Sequence, residues 1–112
     1  MPTHIRTEAE LDAAFAADSF LVFKHSTSCP ISAAAFARYE RWCAAHPTVS
    51  TGWIDVIAER PLAQAVAART GIRHESPQAL LLAKGVVRWH ASHEAIHGAS
   101  LDAASLKATA PG

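Results

Sequence analysis

The side chain most suited to chemistry is Cys29, which lies between a short apolar run and a segment that favours helix. Pro30 suits the first position of that helix, because its missing N–H would have no partner there. The unpaired N–H groups of a helix N-terminus, together with the helix dipole, favour a cysteine thiolate over the thiol. A thiolate is the species that attacks a disulfide sulfur. We therefore interpret Cys29 as a nucleophile for thiol–disulfide exchange rather than an inert core cysteine, within a motif formed by Thr27, Ser28, Cys29, Pro30, Ile31 and Ser32.

Ser32 limits this centre to one thiol, because it stands where a dithiol exchanger would have its second cysteine. Its hydroxyl could hydrogen-bond the thiolate or could simply be a polar group of the first helical turn. The other cysteine, Cys43, follows on the same predicted helix, about 21 Å from Cys29 at 1.5 Å per residue. A disulfide needs the two Cα atoms within about 7 Å. We therefore predict that Cys29 has no internal partner and that Cys43 is a structural residue.

Two basic residues just before the motif are candidate thiolate stabilisers. Lys24 and His25 are close to Cys29 in the sequence, and a nearby positive charge favours a thiolate. Their geometry does not follow from the sequence, so electrostatic assistance is an expectation based on proximity alone.

The seven histidines of the chain raise the alternative of a metal site. His90, His93 and His97 would share one face if that region were helical. His90 falls at a predicted strand end, however, and Gly98 would interrupt a helix soon afterwards. Metal sites usually need a rigid set of ligands with carboxylate or thiolate members. We therefore predict no bound metal.

The composition limits the class of protein. The chain has 112 residues, of which 50% are hydrophobic and 18% charged, with a formal net charge of zero. This suits a single domain at residues 1–112 with a packed core. A neutral chain argues against nucleic-acid binding and gives no reason to expect membrane adhesion. The N-terminus lacks the apolar stretch of a secretory signal, and no run approaches the roughly 20 apolar residues of a membrane span. We therefore expect a cytoplasmic protein, in a compartment where thiols stay reduced.

The apolar pattern predicts helices and strands that would position the motif. Helices are predicted at residues 8–17, 30–45, 61–70 and about 100–110, and strands at 19–24, 49–57, 78–83 and 86–90, with a further short strand left open near His4-Ile5. Early alternation predicts parallel β-α-β pairing, and Lys84-Gly85 predicts a late hairpin. The second helix would bury Ala34, Ala35, Tyr39 and Trp42. The expected fold is α/β, with one mixed sheet of four to five strands and helices on both faces.

The motif around Cys29 is part of a longer pattern. His25-Ser-Thr-Ser-Cys-Pro-Ile-Ser32 is followed by His74-Glu-Ser-Pro-Gln78, and further matching segments are Phe23-Lys24 and Trp89-His90-Ala-Ser-His93. Together these segments resemble the YtxJ family of bacillithiol-system redox proteins, the monothiol bacilliredoxins. The likeness extends over nearly the whole chain, and the pairing of the two motifs makes it specific.

The resemblance implies a thioredoxin-like fold in which Ser76-Pro77 forms a cis-proline loop facing Cys29. It also implies a substrate class, the mixed disulfides between protein cysteines and the low-molecular-weight thiol bacillithiol. Cys29 would take over the bacillithiol, and free bacillithiol or a second redoxin would resolve the adduct. Glu75 could contact a substrate amine or could be an ordinary exposed loop residue. Bacillithiol would serve as thiol co-substrate, and no other cofactor is expected.

Two other functions stay open at this point. One is a thioredoxin-like redox sensor or binding module that acquires an adduct at Cys29 without turnover. The loop at Ser76-Pro77 favours substrate handling over sensing. The other is an iron–sulfur carrier of the monothiol glutaredoxin type, which typically carries a C-G-F-S motif. This chain has C-P-I-S, without the glycine that lets the backbone approach a cluster.

Overall fold

The computed structural model describes residues 2–107, which form five strands, four α-helices and one short 3₁₀ turn. In chain order these are β1 (Thr3–His4), α1 (Glu8–Ala16), β2 (Phe20–His25), α2 (Pro30–Ala45), β3 (Thr51–Asp55), α3 (Arg60–Thr70), β4 (Gln78–Ala83), β5 (Val86–Ser92), the 3₁₀ turn (His93–Ala95) and α4 (Gly98–Lys107). Every predicted element is present, including the short strand near His4. None of the helices in this part of the chain is long and apolar enough to cross a membrane.

Local sequence signals explain where several elements begin and end. The Thr7 hydroxyl accepts a hydrogen bond from the Glu10 N–H at 3.1 Å, and the Glu10 carboxylate accepts one from the Thr7 N–H at 3.0 Å. This capping box satisfies two N–H groups at the start of α1. Helix α3 stops at Gly71, whose φ of 74° is left-handed and suits glycine. The β4–β5 hairpin turns at Lys84 and Gly85, which both have positive φ as a tight two-residue turn requires.

The five strands form one mixed sheet in the order β1-β3-β2-β4-β5. Strands β1, β3 and β2 run parallel, while β4 is antiparallel to both β2 and β5. The carboxyl ends of β2 and β3 therefore lie at the same edge as the amino end of β4. That edge receives the Cys29 motif, the β3–α3 turn and the loop that precedes β4.

Helices cover both faces of this sheet, as predicted. On one face α2 and α4 pack on the strands, in a core that includes Leu21, Phe23, Ala35, Tyr39, Trp42, Cys43, Leu81 and Leu101. On the other face α1 and α3 pack on the strands, in a core that includes Leu11, Val22, Ile54, Val66, Leu80 and Leu82. Val22 and Phe23 enter opposite cores because successive side chains of a strand point to opposite faces. The same alternation continues along β2 towards the Cys29 motif.

Several details differ from the sequence predictions. Ala34 is exposed, so its assignment to the buried face of α2 was wrong; that face is formed by Ser32, Ala35, Tyr39, Trp42 and Cys43, which follow the helical repeat. Strand β3 is shorter than predicted at both ends, whereas β5 continues beyond His90 to Ser92. The predicted end of the last helix at Ala110 lies outside the described residues.

Candidate active site

Cys29 occupies the N-cap of α2, as predicted. Pro30 follows in the first helical turn, and the Cys29 carbonyl accepts the Ala33 N–H at 2.9 Å. The Cys29 side chain makes no capping hydrogen bond and is partly exposed. The N–H groups of Ile31 and Ser32 belong to the first turn, where backbone donors have no acceptor within the helix. The partly exposed thiol therefore lies at the positive end of the α2 dipole.

The motif residues around the thiol form an exposed rim. Thr27, Ser28 and Pro30 are exposed, and Ile31 leaves 57% of its surface accessible. The exposed Ile31 side chain therefore lies two residues after Cys29, in the first turn of α2.

Ser32 is fully buried, and its hydroxyl ties together the turn that leads to Cys29. The hydroxyl oxygen accepts the Ser26 N–H at 2.8 Å and lies 2.8 Å from Nδ1 of His25. Ser32 thus connects the end of β2 to the first turn of α2. The position of a second cysteine is therefore filled by a hydroxyl that supports the geometry of the single thiol.

His25 is held in an aromatic environment. Its ring is 7% exposed and stacks on Phe36, with ring centroids 4.3 Å apart and planes 7° from parallel. The loss of water around the ring lowers the pKa of His25 below 6.5, although Asp55 partly offsets the effect. Below that pKa the ring would be charged, so at neutral pH it is mostly uncharged. His25 is therefore a poor source of the positive charge expected beside Cys29, because burial disfavours the imidazolium.

Lys24 is buried on the other face of the sheet, following the strand alternation. Its ammonium donates to Oε1 of Gln78 at 2.9 Å, and Nε2 of Gln78 donates to the Arg73 carbonyl at 2.9 Å. These two bonds tie β2 to the loop that precedes β4. The hydrogen bond from Lys24 to Gln78 thus positions that loop. A direct contact with Cys29, which proximity in the sequence led us to expect, is not among the described contacts of Lys24.

The Ser76–Pro77 peptide bond is cis, as the family resemblance implied. Pro77 is buried and its carbonyl accepts the His93 N–H at 3.0 Å, while Glu75 and Ser76 are half-buried. Gln78 and Lys24 are paired in the sheet. The loop before β4 and the motif after β2 are therefore at one edge of the sheet, where the resemblance requires them.

Asp55 is a site residue that the sequence analysis did not identify. It ends β3 directly opposite His25. Its carboxylate accepts the N–H groups of Ile57 and Ala58 at 2.9 and 3.2 Å, and lies 3.4 Å from the Thr27 hydroxyl. Asp55 thus joins the Cys29 motif to the β3–α3 turn. The available signal was an acidic residue at the carboxyl end of a strand predicted to run parallel to β2.

Cys43 lies in the core between α2 and the sheet, 8% exposed. Burial raises the pKa of its thiol, which keeps it protonated. Helix α2 runs unbroken from Pro30 to Ala45, so the separation of about 21 Å from Cys29 applies. Within residues 2–107, no three histidine, cysteine or acidic side chains are grouped so that they could hold a metal ion.

Burial of Lys24 is expected to affect the pH dependence of stability. Its pKa falls from 10.5 to about 8, because burial disfavours the ammonium, with Glu75 partly offsetting this. Between these two values the unfolded chain binds a proton that the folded chain lacks, so the Lys24 contribution to the free energy of unfolding rises with pH. Cys43 and Tyr39, whose pKa values burial raises, act in the opposite direction in alkaline solution.

The Lys24→Met variant isolates this contribution. Urea unfolding of both proteins from about pH 7 to about pH 10 should show wild type gaining stability relative to the variant as the pH rises. The other titrating groups are common to both proteins and cancel in the difference. A difference that stays constant across this range would contradict a depressed Lys24 pKa.

Comparisons with known proteins agree with this geometry. A family model described as the monothiol bacilliredoxin BrxC matches residues 3–101. A solved structure, described by its thioredoxin fold and a proposed oxidoreductase activity, is 28% identical, with 93% of each chain covered and a TM-score of 0.87. The family match includes Cys29, Ser32 and the Ser76–Pro77 loop.

Two thioredoxins share the fold at lower identity. Thioredoxin from Malassezia sympodialis is 17% identical, with a TM-score of 0.77 over 97% of this chain and 92% of that one. A variant thioredoxin from Halobacterium salinarum is 21% identical, with a TM-score of 0.75 over 99% and 94%. The protein therefore has the thioredoxin fold, and its family supports a role in thiol redox chemistry. With its single N-cap thiol and a family match over most of its length, the chain belongs to the monothiol bacilliredoxin family.

Proposed function

We propose that this protein removes bacillithiol from S-bacillithiolated protein cysteines, through thiol–disulfide exchange at Cys29. The observation that carries the proposal is a single accessible thiol at a helix N-terminus with no second thiol in reach. Ser32 fills the position of an internal resolving cysteine, and Cys43 is buried in the core. A disulfide at Cys29 must therefore form with another molecule. The family match supports bacillithiol as that molecule.

The proposed reaction has two exchange steps. In the first, the Cys29 thiolate attacks the bacillithiol sulfur of the client's mixed disulfide. A bond forms between Cys29 and bacillithiol, the client–bacillithiol S–S bond breaks, and the client thiolate leaves and takes up a proton. In the second, a bacillithiol thiolate attacks the bacillithiol sulfur of the adduct, which gives bacillithiol disulfide and frees Cys29. A second redoxin can take the place of that thiol. No oxidant or reductant is needed beyond the thiols themselves.

Several contacts of the site suit these steps. The first turn of α2 favours the attacking thiolate and stabilises it again as a leaving group in the second step. Ser32 and Asp55 hold the segment before Cys29 from both sides. Lys24 and Gln78 hold the loop that carries Ser76-Pro77. This loop is proposed to align the client chain, with Glu75 and Ile31 at its borders. A cytoplasmic location, where bacillithiol would be reduced, belongs to the same proposal.

Turnover tests the proposal. A client protein with one surface cysteine is prepared as its bacillithiol disulfide and mixed with a substoichiometric amount of the protein and excess free bacillithiol. Intact-mass spectrometry then follows the adduct on both proteins. We expect each molecule of the protein to remove several equivalents of adduct from the client. The adduct should be seen transiently on Cys29.

The alternative functions give different results. A sensor without turnover would remove at most one equivalent of adduct and would keep it on Cys29. If the client loses its adduct no faster than with free bacillithiol alone, the proposed function is wrong. Bacillithiol disulfide is the expected small product, and its amount should equal the adduct lost from the client.

A further inference from the structure

A second feature lies at the same edge of the sheet, on the side of α3. A cleft of about 220 Å³ opens between the first turns of α3, the β3–α3 turn and the loop before Ser76-Pro77. Its lining residues are Val56, Ile57, Arg60, Ala63, Gln64 and His74. Of these, only His74 belongs to a motif quoted from the sequence, His74-Glu-Ser-Pro-Gln78. The walls are apolar at Val56, Ile57 and Ala63, and the polar groups are donors at Arg60, Gln64 and His74.

The cleft carries positive charge. Arg60 is exposed, and no described carboxylate lies within ion-pair distance of its guanidinium. Partial burial lowers the pKa of His74, and the nearby positive charges of Lys24 and Arg60 lower it further. Glu75 is the acidic neighbour that opposes this effect. A neutral His74 ring retains one N–H donor, which can bond an anion beside the guanidinium.

Two connections relate this cleft to the segments that carry the candidate active site. His74 is two residues before Ser76, in the loop tied to Lys24 through Gln78. Ile57 follows Asp55, whose carboxylate contacts Thr27 of the Cys29 motif. The cleft therefore borders the loop that leads to Ser76-Pro77 and the β3–α3 turn that Asp55 joins to Thr27. Its size suits a small organic group rather than a folded chain segment, since clefts for drug-sized ligands are larger.

We infer that the Arg60–His74 cleft binds a carboxylate of the small-thiol half of the mixed disulfide, while the client half lies along the proline loop. This inference rests on the proposed function and deepens it, since it assigns the thiol specificity of Cys29 to a defined subsite. The guanidinium supplies charge and a fork of donors, and His74 adds a further donor. The apolar walls accept the chain that joins the carboxylate to the sulfur.

A series of small thiols that differ in the distance between sulfur and carboxylate can test this subsite. Cys29 is first converted to its mixed disulfide with 4-thiopyridine. An ω-mercapto acid then attacks the Cys29 sulfur, forms the new S–S bond and releases thiopyridone, which is followed by its absorbance. Acids of increasing chain length are compared with the ω-mercapto alcohols of equal length. The rate of each thiol with the Cys29 mixed disulfide is divided by its rate with dipyridyl disulfide in free solution, which corrects for the intrinsic reactivity of the thiol. We expect an acid-over-alcohol preference of about two- to five-fold at one range of lengths, the size of an exposed ion pair.

Arg60→Gln should remove this preference, and added salt should weaken it in wild type. Arg41→Gln is the matched control, because it removes the same charge from an exposed position further along α2, about 18 Å from Cys29 by helical rise. The control should keep the preference. Equal corrected rates for acids and alcohols at every length in wild type would overturn the inference, and so would a preference that survives in Arg60→Gln.

A second arm distinguishes the two sources of a carboxylate. One short peptide, with or without a glutamate beside its cysteine, is linked to 2-mercaptoethanol and offered to the Cys29 thiolate. The rate ratio of the two peptides should be the same in wild type and Arg60→Gln. If Arg60→Gln changes this ratio instead of the thiol preference, the cleft serves the client and our assignment is wrong. Neither result bears on the transfer of bacillithiol to Cys29, so failure of the inference leaves the proposed function to its own test.

Discussion

Replacement of Cys29 by serine is expected to reduce adduct removal to the rate seen with free bacillithiol alone. A serine hydroxyl stays protonated at neutral pH and does not attack a disulfide sulfur, so both exchange steps are lost. The substitution keeps the N-cap of α2, where serine is favoured, so the fold should be retained or slightly stabilised. Mass spectrometry should show no adduct on the variant, and the client should lose its adduct only at the rate seen with free bacillithiol.

Cys43→Ala is the matched control for this experiment. Cys43 is buried between α2 and the sheet, so the variant loses some packing but keeps the accessible thiol. We expect adduct transfer at close to the wild-type rate, with a modest loss of thermal stability. Transfer by Cys29→Ser would show that Cys29 is not the nucleophile. Loss of transfer in Cys43→Ala with the fold intact would contradict the purely structural role of Cys43.

Ser32→Ala is expected to lower the free energy of unfolding by about 2 kcal/mol, because it leaves buried polar groups without their partner. The Ser26 N–H and Nδ1 of His25 both lose the Ser32 hydroxyl at 2.8 Å. For a chain of this size the thermal midpoint should fall by several degrees. The turn before Cys29 should also loosen, which hydrogen exchange of the Ser26 and Cys29 amides would show as reduced protection.

Ser28→Ala provides the control in the same loop, since Ser28 is exposed. Its unfolding free energy should stay within about 0.5 kcal/mol of wild type, as is usual for a surface substitution. If Ser28→Ala and Ser32→Ala were equally stable in urea, the buried hydrogen bonds of Ser32 would contribute little. The structural role assigned to that hydroxyl would then be wrong.

The elements and the N-cap position of Cys29 follow from local signals. Pro30 after Cys29 indicates the start of α2, Gly71 the end of α3, and Lys84-Gly85 the hairpin turn, because each depends on backbone preferences of a few consecutive residues. The mixed sheet follows from the order of those elements. These features do not depend on distant contacts, which is why the sequence predicts them correctly.

The roles of the neighbouring side chains depend on partners that are far away in the sequence. Lys24 and His25 are adjacent, yet the strand alternation directs them to opposite faces, Lys24 to Gln78 and His25 to Phe36 and Ser32. Their proximity in the sequence therefore suggested a shared role that their positions in the fold do not support. Asp55 was missed for the same reason, since its contact with Thr27 exists only because β3 runs beside β2.

The sequence by itself determined that this protein presents one thiol at a helix N-terminus, with Ser32 in place of a second cysteine and Cys43 too far along the same helix to pair with it. Spacing along a helix decides this, and spacing is a property of the chain alone. Only the tertiary structure decided what surrounds that thiol: a neutral, buried His25, a Lys24 that holds the proline loop, and an Arg60–His74 cleft on the side of α3. Burial and pairing depend on which residues the folded sheet brings together, as Lys24 and Gln78, 54 positions apart, show.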